Sequence, residues 1–199
     1  MCIRDSRSIV AVSTGRLEAF SDGVLAIIIT IMVLELSPPE GVRLADLRDL
    51  TPVFLSYVLS FVYVGIYWNN HHHLFQTASR VNGAILWANL HLLFWLSLFP
   101  FTTAWMGTHS FARVPTAVYG FVAVMAAVGY FVLQMAIVRE EGPSSPIATA
   151  VGRDVKGKAS VAIYLACIPL ALVNRWIAVA GYVAVAGLWL VPDRRLRPT

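Results

Sequence analysis

Val24 to Leu34 reads VLAIIITIMVL, a run in which Thr30 alone carries a hydrogen-bonding side chain, and it follows without a break from Arg16, Phe20, Ser21 and Asp22. A run this apolar can bury its backbone polar groups only by bonding them to one another, which in a bilayer means a helix. An ionisable group at the mouth of such a helix is a mark of function. At helical spacing Ile27, Ile31 and Leu34 stand at i, i+4 and i+7 on one face, with Thr30 beside them.

The composition places the run in a membrane. Apolar residues make up 58% of the 199-residue chain and charged residues 13%, with a mean hydropathy of +0.69. A soluble domain of this length has no surface to put them on. With about 20 residues per span the chain has room for six transmembrane helices and no separate soluble domain. The expected fold is an all-α integral membrane protein with six helices in one repeat. The net charge of +4 does not indicate nucleic acid, because Lys and Arg sit at segment ends rather than in a stripe interleaved with surface aromatics.

Met1–Ser6, MCIRDS, back-translates as ATG-TGT-ATA-AGA-GAC-AG, the transposon end used in sequencing-library preparation. It reads as adapter sequence fused to the fragment and carries no physical argument. Residues 7–15 read as an N-terminal tail, 16–192 as the six-helix transmembrane domain and 193–199 as a basic cytoplasmic C-terminal tail. Cys2 lies in the suspect leader and Cys167 in an apolar segment, so neither a disulfide framework nor a thiolate metal site is indicated. No cofactor is expected.

The first helix is expected from Arg16 to about Leu36, where Ser37-Pro38-Pro39 forces a turn. The second span is expected from Leu47 to Trp68, leaving through the polar run Asn69-Asn70-His71-His72-His73. The third runs from Ala84 to Trp105 and the fourth from Val114 to Val138. Arg139–Lys158 reads as a loop, and Ala159–Val173 and Trp176–Val191 as a tight hairpin. On this layout ten Lys and Arg outside the leader, eleven with Arg4, fall on the side of the N-terminus and four (Arg43, Arg48, Arg113, Arg175) on the other. By the positive-inside rule both termini are cytoplasmic.

From the residues alone the Ile27/Ile31/Leu34 stripe has two readings, a buried packing face or a pore lining. Arg16-x3-Phe20-Ser21-Asp22, followed by Ile27, Thr30 and Leu34-Glu35, resembles the first-helix signature of the transmembrane protein 175 family of potassium channels. The resemblance implies a tetramer with the first helix around the pore and no carbonyl-lined filter. It implies Ile27 as the hydrophobic constriction, Thr30 as a selectivity ring, and Ile31 and Leu34 as further apolar layers. Arg16, Phe20, Ser21 and Asp22 then brace the helix start, with Trp68, His71 and His72 as a less specific second feature. Apolar rings close a pore by dewetting, and a hydroxyl can replace part of an ion's hydration shell.

Asp22 and Arg16 do not share a helix face, so each pairs elsewhere. For Asp22 the candidates are Arg16 of another subunit, Trp68, Asn69 or the histidines. The histidine run, with His91 and His109, admits a metal reading, but a single run lacks the spaced boxes such chemistry needs. Polar bracing and a solvated loop are the other readings. Thr116-Ala117-Val118-Tyr119-Gly120 departs from a potassium filter by an inserted residue and a lost glycine, and opens an apolar helix. The expected function is a homotetrameric cation channel of the potassium-selective kind the resemblance implies, with potassium ions, the lipid bilayer and its own copies as partners. The alternative is a small multispan transporter or membrane enzyme built on Asp22 and the histidines.

Overall fold

The computed structural model describes residues 13–152 and 154–190. Met1–Ser6, Cys2 and the basic tail 193–199 lie outside the described residues. Among those described, every regular element is a helix: α1 Thr14–Leu34, a 3-10 turn Leu44–Arg48, α2 Thr51–Gln76, α3 Gly83–Leu96, α4 Phe99–Thr108, α5 Arg113–Glu141, α6 Pro146–Gly152, α7 Val155–Val173 and α8 Arg175–Leu190. Among the described residues five helical segments are long and apolar enough to cross a membrane, α3 and α4 counting together as Gly83–Thr108. Arg175–Leu190 is apolar but shorter over the described residues.

Local chemistry sets these boundaries. Ser13 caps α1, its hydroxyl accepting from the Arg16 backbone N–H at 3.4 Å, and α1 ends just before Ser37-Pro38-Pro39. In the connection that follows, Asp46 accepts from the Arg43 backbone N–H at 2.9 Å and from its guanidinium at 3.0 Å. These bonds, the backbone one first, hold the Asp46 carboxyl below its ordinary range. Pro52 falls in the first turn of α2, where its missing N–H costs nothing.

Three expectations are corrected. Asn69–His73 is not a polar exit: α2 continues through it to Gln76, because its polar side chains find partners on α1 and α3 and the helix can go on. The third span is not one continuous helix. Pro100 supplies no N–H to Leu96 and its ring clashes with that carbonyl, so the helix breaks at Ser97-Leu98 and resumes as α4. The connection 139–158 is not all loop. α5 runs to Glu141, α6 forms inside it, and Asp154 starts α7 by accepting from the Gly157 N–H at 2.8 Å. Asn174 alone separates α7 from α8, its side chain accepting from the Trp176 N–H at 3.0 Å.

At its 29 residues α5 is about 43 Å long, and it is the central helix, packing on α3, α4, α7 and α8. The filter-like string Thr116–Gly120 lies inside its continuous first half. The core there is aromatic and hydrogen-bonded. Tyr63 donates to the Tyr182 carbonyl at 2.6 Å, Tyr182 donates to the Thr116 carbonyl at 3.0 Å, and Ser60 bonds both Thr103 and Tyr119 at 2.6 and 3.1 Å. Gly120 permits this, since a Cβ there would stand 2.1 Å from the Tyr182 hydroxyl. In a bilayer, where apolar burial gives helices no reason to associate, close packing and such bonds hold the bundle. α1 stands at its edge, on α2, α4 and α3.

Candidate functional site

α1 presents two faces of opposite character. Leu17, Ser21, Leu25, Ile28 and Met32 form the buried stripe, at the spacing of one helix face. On the far side, turning about 100° per residue, Ile27, Ile31 and Leu34 are 58%, 42% and 79% exposed, whereas Ile28, one residue from Ile27, is 3% exposed. Thr30 is exposed on the same stripe, as are Arg16, Phe20 and Gly23. Within one chain, then, the Ile27 stripe is not a packing face. Its apolar side chains leave 42–79% of their surface uncovered by their own subunit, which on a helix of this hydropathy leaves lipid or a second copy to meet it.

The Thr30 hydroxyl donates to the Ile27 carbonyl at 2.9 Å. That bond uses its proton and fixes its rotamer, leaving the oxygen lone pairs directed off the helix. A threonine held this way presents an acceptor, which suits a cation.

A second constellation gathers on the other side of α1, at its first turns. Asn89 of α3 links the chain of bonds: His71 Nε2 donates to Asn89 Oδ1 at 2.8 Å, Asn89 Nδ2 donates to Ser21 Oγ at 2.9 Å, and Ser21 donates to the Leu17 carbonyl at 2.9 Å. Ser21, His71 and Asn89 are all buried. The remaining His71 nitrogen, Nδ1, has no hydrogen-bond partner among the described residues. Beside this relay Trp68 Nε1 donates to Asp22 Oδ1 at 3.0 Å. His72 Nδ1 bonds Glu18, while its Nε2 accepts from the Gln76 amide at 2.9 Å. The Trp68 and His72 rings stack. Three helices are thereby locked together by their polar groups where α1 begins.

Of the residues singled out in the sequence, Ser21, Asp22, Trp68, His71 and His72 come together in this lock. Arg16 and Phe20 do not join it; both lie on the exposed stripe, and the Arg16 side chain has no partner among the described residues. His91 accepts from Trp95 at 3.0 Å and His109 bonds the Trp105 carbonyl at 3.0 Å, both away from the histidine run. Among the described residues no three His, Cys, Asp or Glu side chains gather as a metal set would. Three members of the lock, Asn89, Glu18 and Gln76, are not singled out by the sequence. Asn89 carried a signal, an amide within the apolar run Ile85 to Leu96. Gly23 carries none by itself, but it shares the open face with Phe20 and Ile27.

Residues 16–100 match the family model described as the endosomal/lysosomal potassium channel TMEM175. A Chryseobacterium protein named as a potassium channel is 55% identical over 182 residues, covering 92% of this chain and 95% of its own length. The mouse protein named as the endosomal/lysosomal proton channel TMEM175 is 30% identical over 122 residues, 59% of this chain and 24% of the mouse protein. Among solved structures, the crystal structure of a lysosomal potassium-selective channel TMEM175 homolog from Chamaesiphon minutus superposes with a TM-score of 0.79. It shares 27% identity and covers 92% of this chain and 98% of its own.

Proposed function

The chain belongs to the TMEM175 family of ion channels, and from that premise we propose that it conducts cations, potassium foremost, through a pore lined by α1 from four copies. The function is transport and not catalysis. The observation that carries the reading is the open stripe of α1. Ile27, Thr30, Ile31 and Leu34 are exposed in the single subunit while the opposite face is buried. One copy of such a stripe encloses nothing. Four around an axis make stacked rings, apolar at Ile27, Ile31 and Leu34, with an outward-held hydroxyl at Thr30.

In this reading Ile27 forms the constriction. A ring of four isoleucine side chains holds no water when it is narrow and so closes the path by dewetting, while the Thr30 oxygens offer the cation a partial substitute for its hydration. The lock at Ser21, Asp22, Trp68, His71 and Asn89 sets the angle at which α1 leaves the bundle and therefore the ring diameter. Arg16 and Phe20, on the same face as the stripe, lie at the pore entrance or against the neighbouring subunit. The channel sits in the cell membrane with both termini cytoplasmic, on the strength of the ten-to-four distribution of Lys and Arg outside the leader.

Purified protein in liposomes, assayed for potassium against sodium flux and weighed in mild detergent, tests the proposal. Tetramers that pass potassium in preference to sodium are expected. A flux-competent monomer would return the chain to the transporter reading.

A further inference from the structure

A cavity of about 340 Å³ lies among α2, α5, α7 and α8, on helices whose lining residues include none from α1. It therefore takes no part in the proposed pore. Its inner end is formed by Tyr63 and Tyr164, both buried, and its walls by Ile66, Val128, Phe131 and Val161. At the other end stand Asn70, Asp154 and the exposed Lys158. A dry apolar cavity of about 150 Å³ already takes up benzene, and this one is more than twice that size.

Its direction matters as much as its volume. From Tyr63 to Asn70 the wall follows seven residues of α2, about 10 Å at 1.5 Å per residue, against a leaflet of about 15 Å of hydrocarbon. The cavity runs along one leaflet, from the middle of the bundle to the end where α7 begins. Several of the polar groups around it are already bonded. Tyr63 spends its hydroxyl on the Tyr182 carbonyl, and at the edges Trp189 donates to Ser160 and Tyr130 to the Asn70 carbonyl. An apolar chain is a good occupant, and the membrane supplies one at that depth.

The polar end selects the headgroup. Asp154 is committed to the first turn of α7, where it accepts from the Gly157 N–H. Lys158, one turn further and exposed, supplies a cation at the rim among the described residues, on the side of the chain that carries the excess of Lys and Arg. We infer that this cavity holds one acyl chain of an anionic phospholipid in each subunit, with the headgroup phosphate at Lys158.

The test uses the full chain in mild detergent, titrated with phosphatidylglycerol or phosphatidylcholine and read by native mass spectrometry. One phosphatidylglycerol per subunit is expected to survive washing, preferred about fivefold over phosphatidylcholine, the worth of one lysine beside an anionic lipid. Lys158→Gln should erase that preference while leaving a lipid bound, and Val161→Trp, which fills the cavity, should lose the lipid altogether. If Val161→Trp fails to assemble, Ala127→Phe fills the same space from α5. Unchanged phosphatidylglycerol occupancy in the filled variant, or an undiminished preference in Lys158→Gln, would overturn the inference. Neither readout depends on ion flux.

Discussion

The indole of Trp68 donates to the carboxylate of Asp22 at 3.0 Å, across 46 residues of sequence. This bond fastens α1 to α2 on the side away from the open stripe. The stripe residues are thus left free by a side chain that does not itself face them, which separates the residues that hold α1 in place from those proposed to meet the ion.

Removing the donor from this pair should loosen α1 without altering ion preference. Trp68→Phe removes the Asp22 carboxylate's donor and, because the pair is partly exposed to solvent, is expected to cost about 0.5–1.5 kcal/mol, the net worth of a typical hydrogen bond. Asp22→Asn keeps an acceptor and should cost less. Thermal unfolding in detergent, with the potassium-to-sodium ratio taken from the same preparation, checks both. A lost preference in intact tetramers would move Asp22 into the permeation path.

The Asn89 relay gives a sharper test, because three of its members are buried. Asn89→Leu strands His71 Nε2, a buried group whose loss of partner costs about 1–3 kcal/mol, and takes one donor from Ser21 Oγ, which keeps its bond to the Leu17 carbonyl. The double variant Asn89→Leu/His71→Phe should recover part of that loss, since replacing both partners by apolar groups removes the unpaired donor. Strictly additive losses in the double variant would show that the two side chains act independently.

The exposed and buried faces of α1 were legible as a helical stripe, but the sequence left open which one packed inward. Ile27 and Ile28 are the same residue type in the same run, and only the neighbouring helices distinguish them. Likewise Asn69–His73 looked like an exit because five polar residues in a row have no partners in a linear reading; Asn89 and Glu18, supplied from α3 and α1, let α2 continue. The break at Ser97-Leu98 had its cause in plain view at Pro100. α6 did not, since a seven-residue helix sets up no periodicity to read.

Thr30 is expected to contribute to selectivity through its oxygen. Thr30→Val keeps the shape of the side chain and removes the acceptor, so the potassium-to-sodium flux ratio should fall while assembly is unaffected. An unchanged ratio would place selectivity elsewhere on the stripe.

Gly120 tests the packing behind the pore. A Cβ at that position would stand 2.1 Å from the Tyr182 hydroxyl, so Gly120→Ala is expected to destabilise by about 1–3 kcal/mol, as overpacking does. Tyr182→Phe in the same chain removes the atom struck first and should relieve part of the cost, visible as a partial return of the melting temperature.

The central claim, that the open face of α1 lines the path, is tested most directly by comparing adjacent residues. Ile27→Asn and Ile28→Asn make the same chemical change at 58% and 3% exposure. In liposomes, Ile27→Asn should wet the constriction, raising flux and admitting larger cations, in tetramers as abundant as the parent. Ile28→Asn should instead bury an unpaired amide and lower the yield of folded protein. If Ile27→Asn assembles normally and its flux and ion preference match the parent, the account of α1 as the pore helix is wrong.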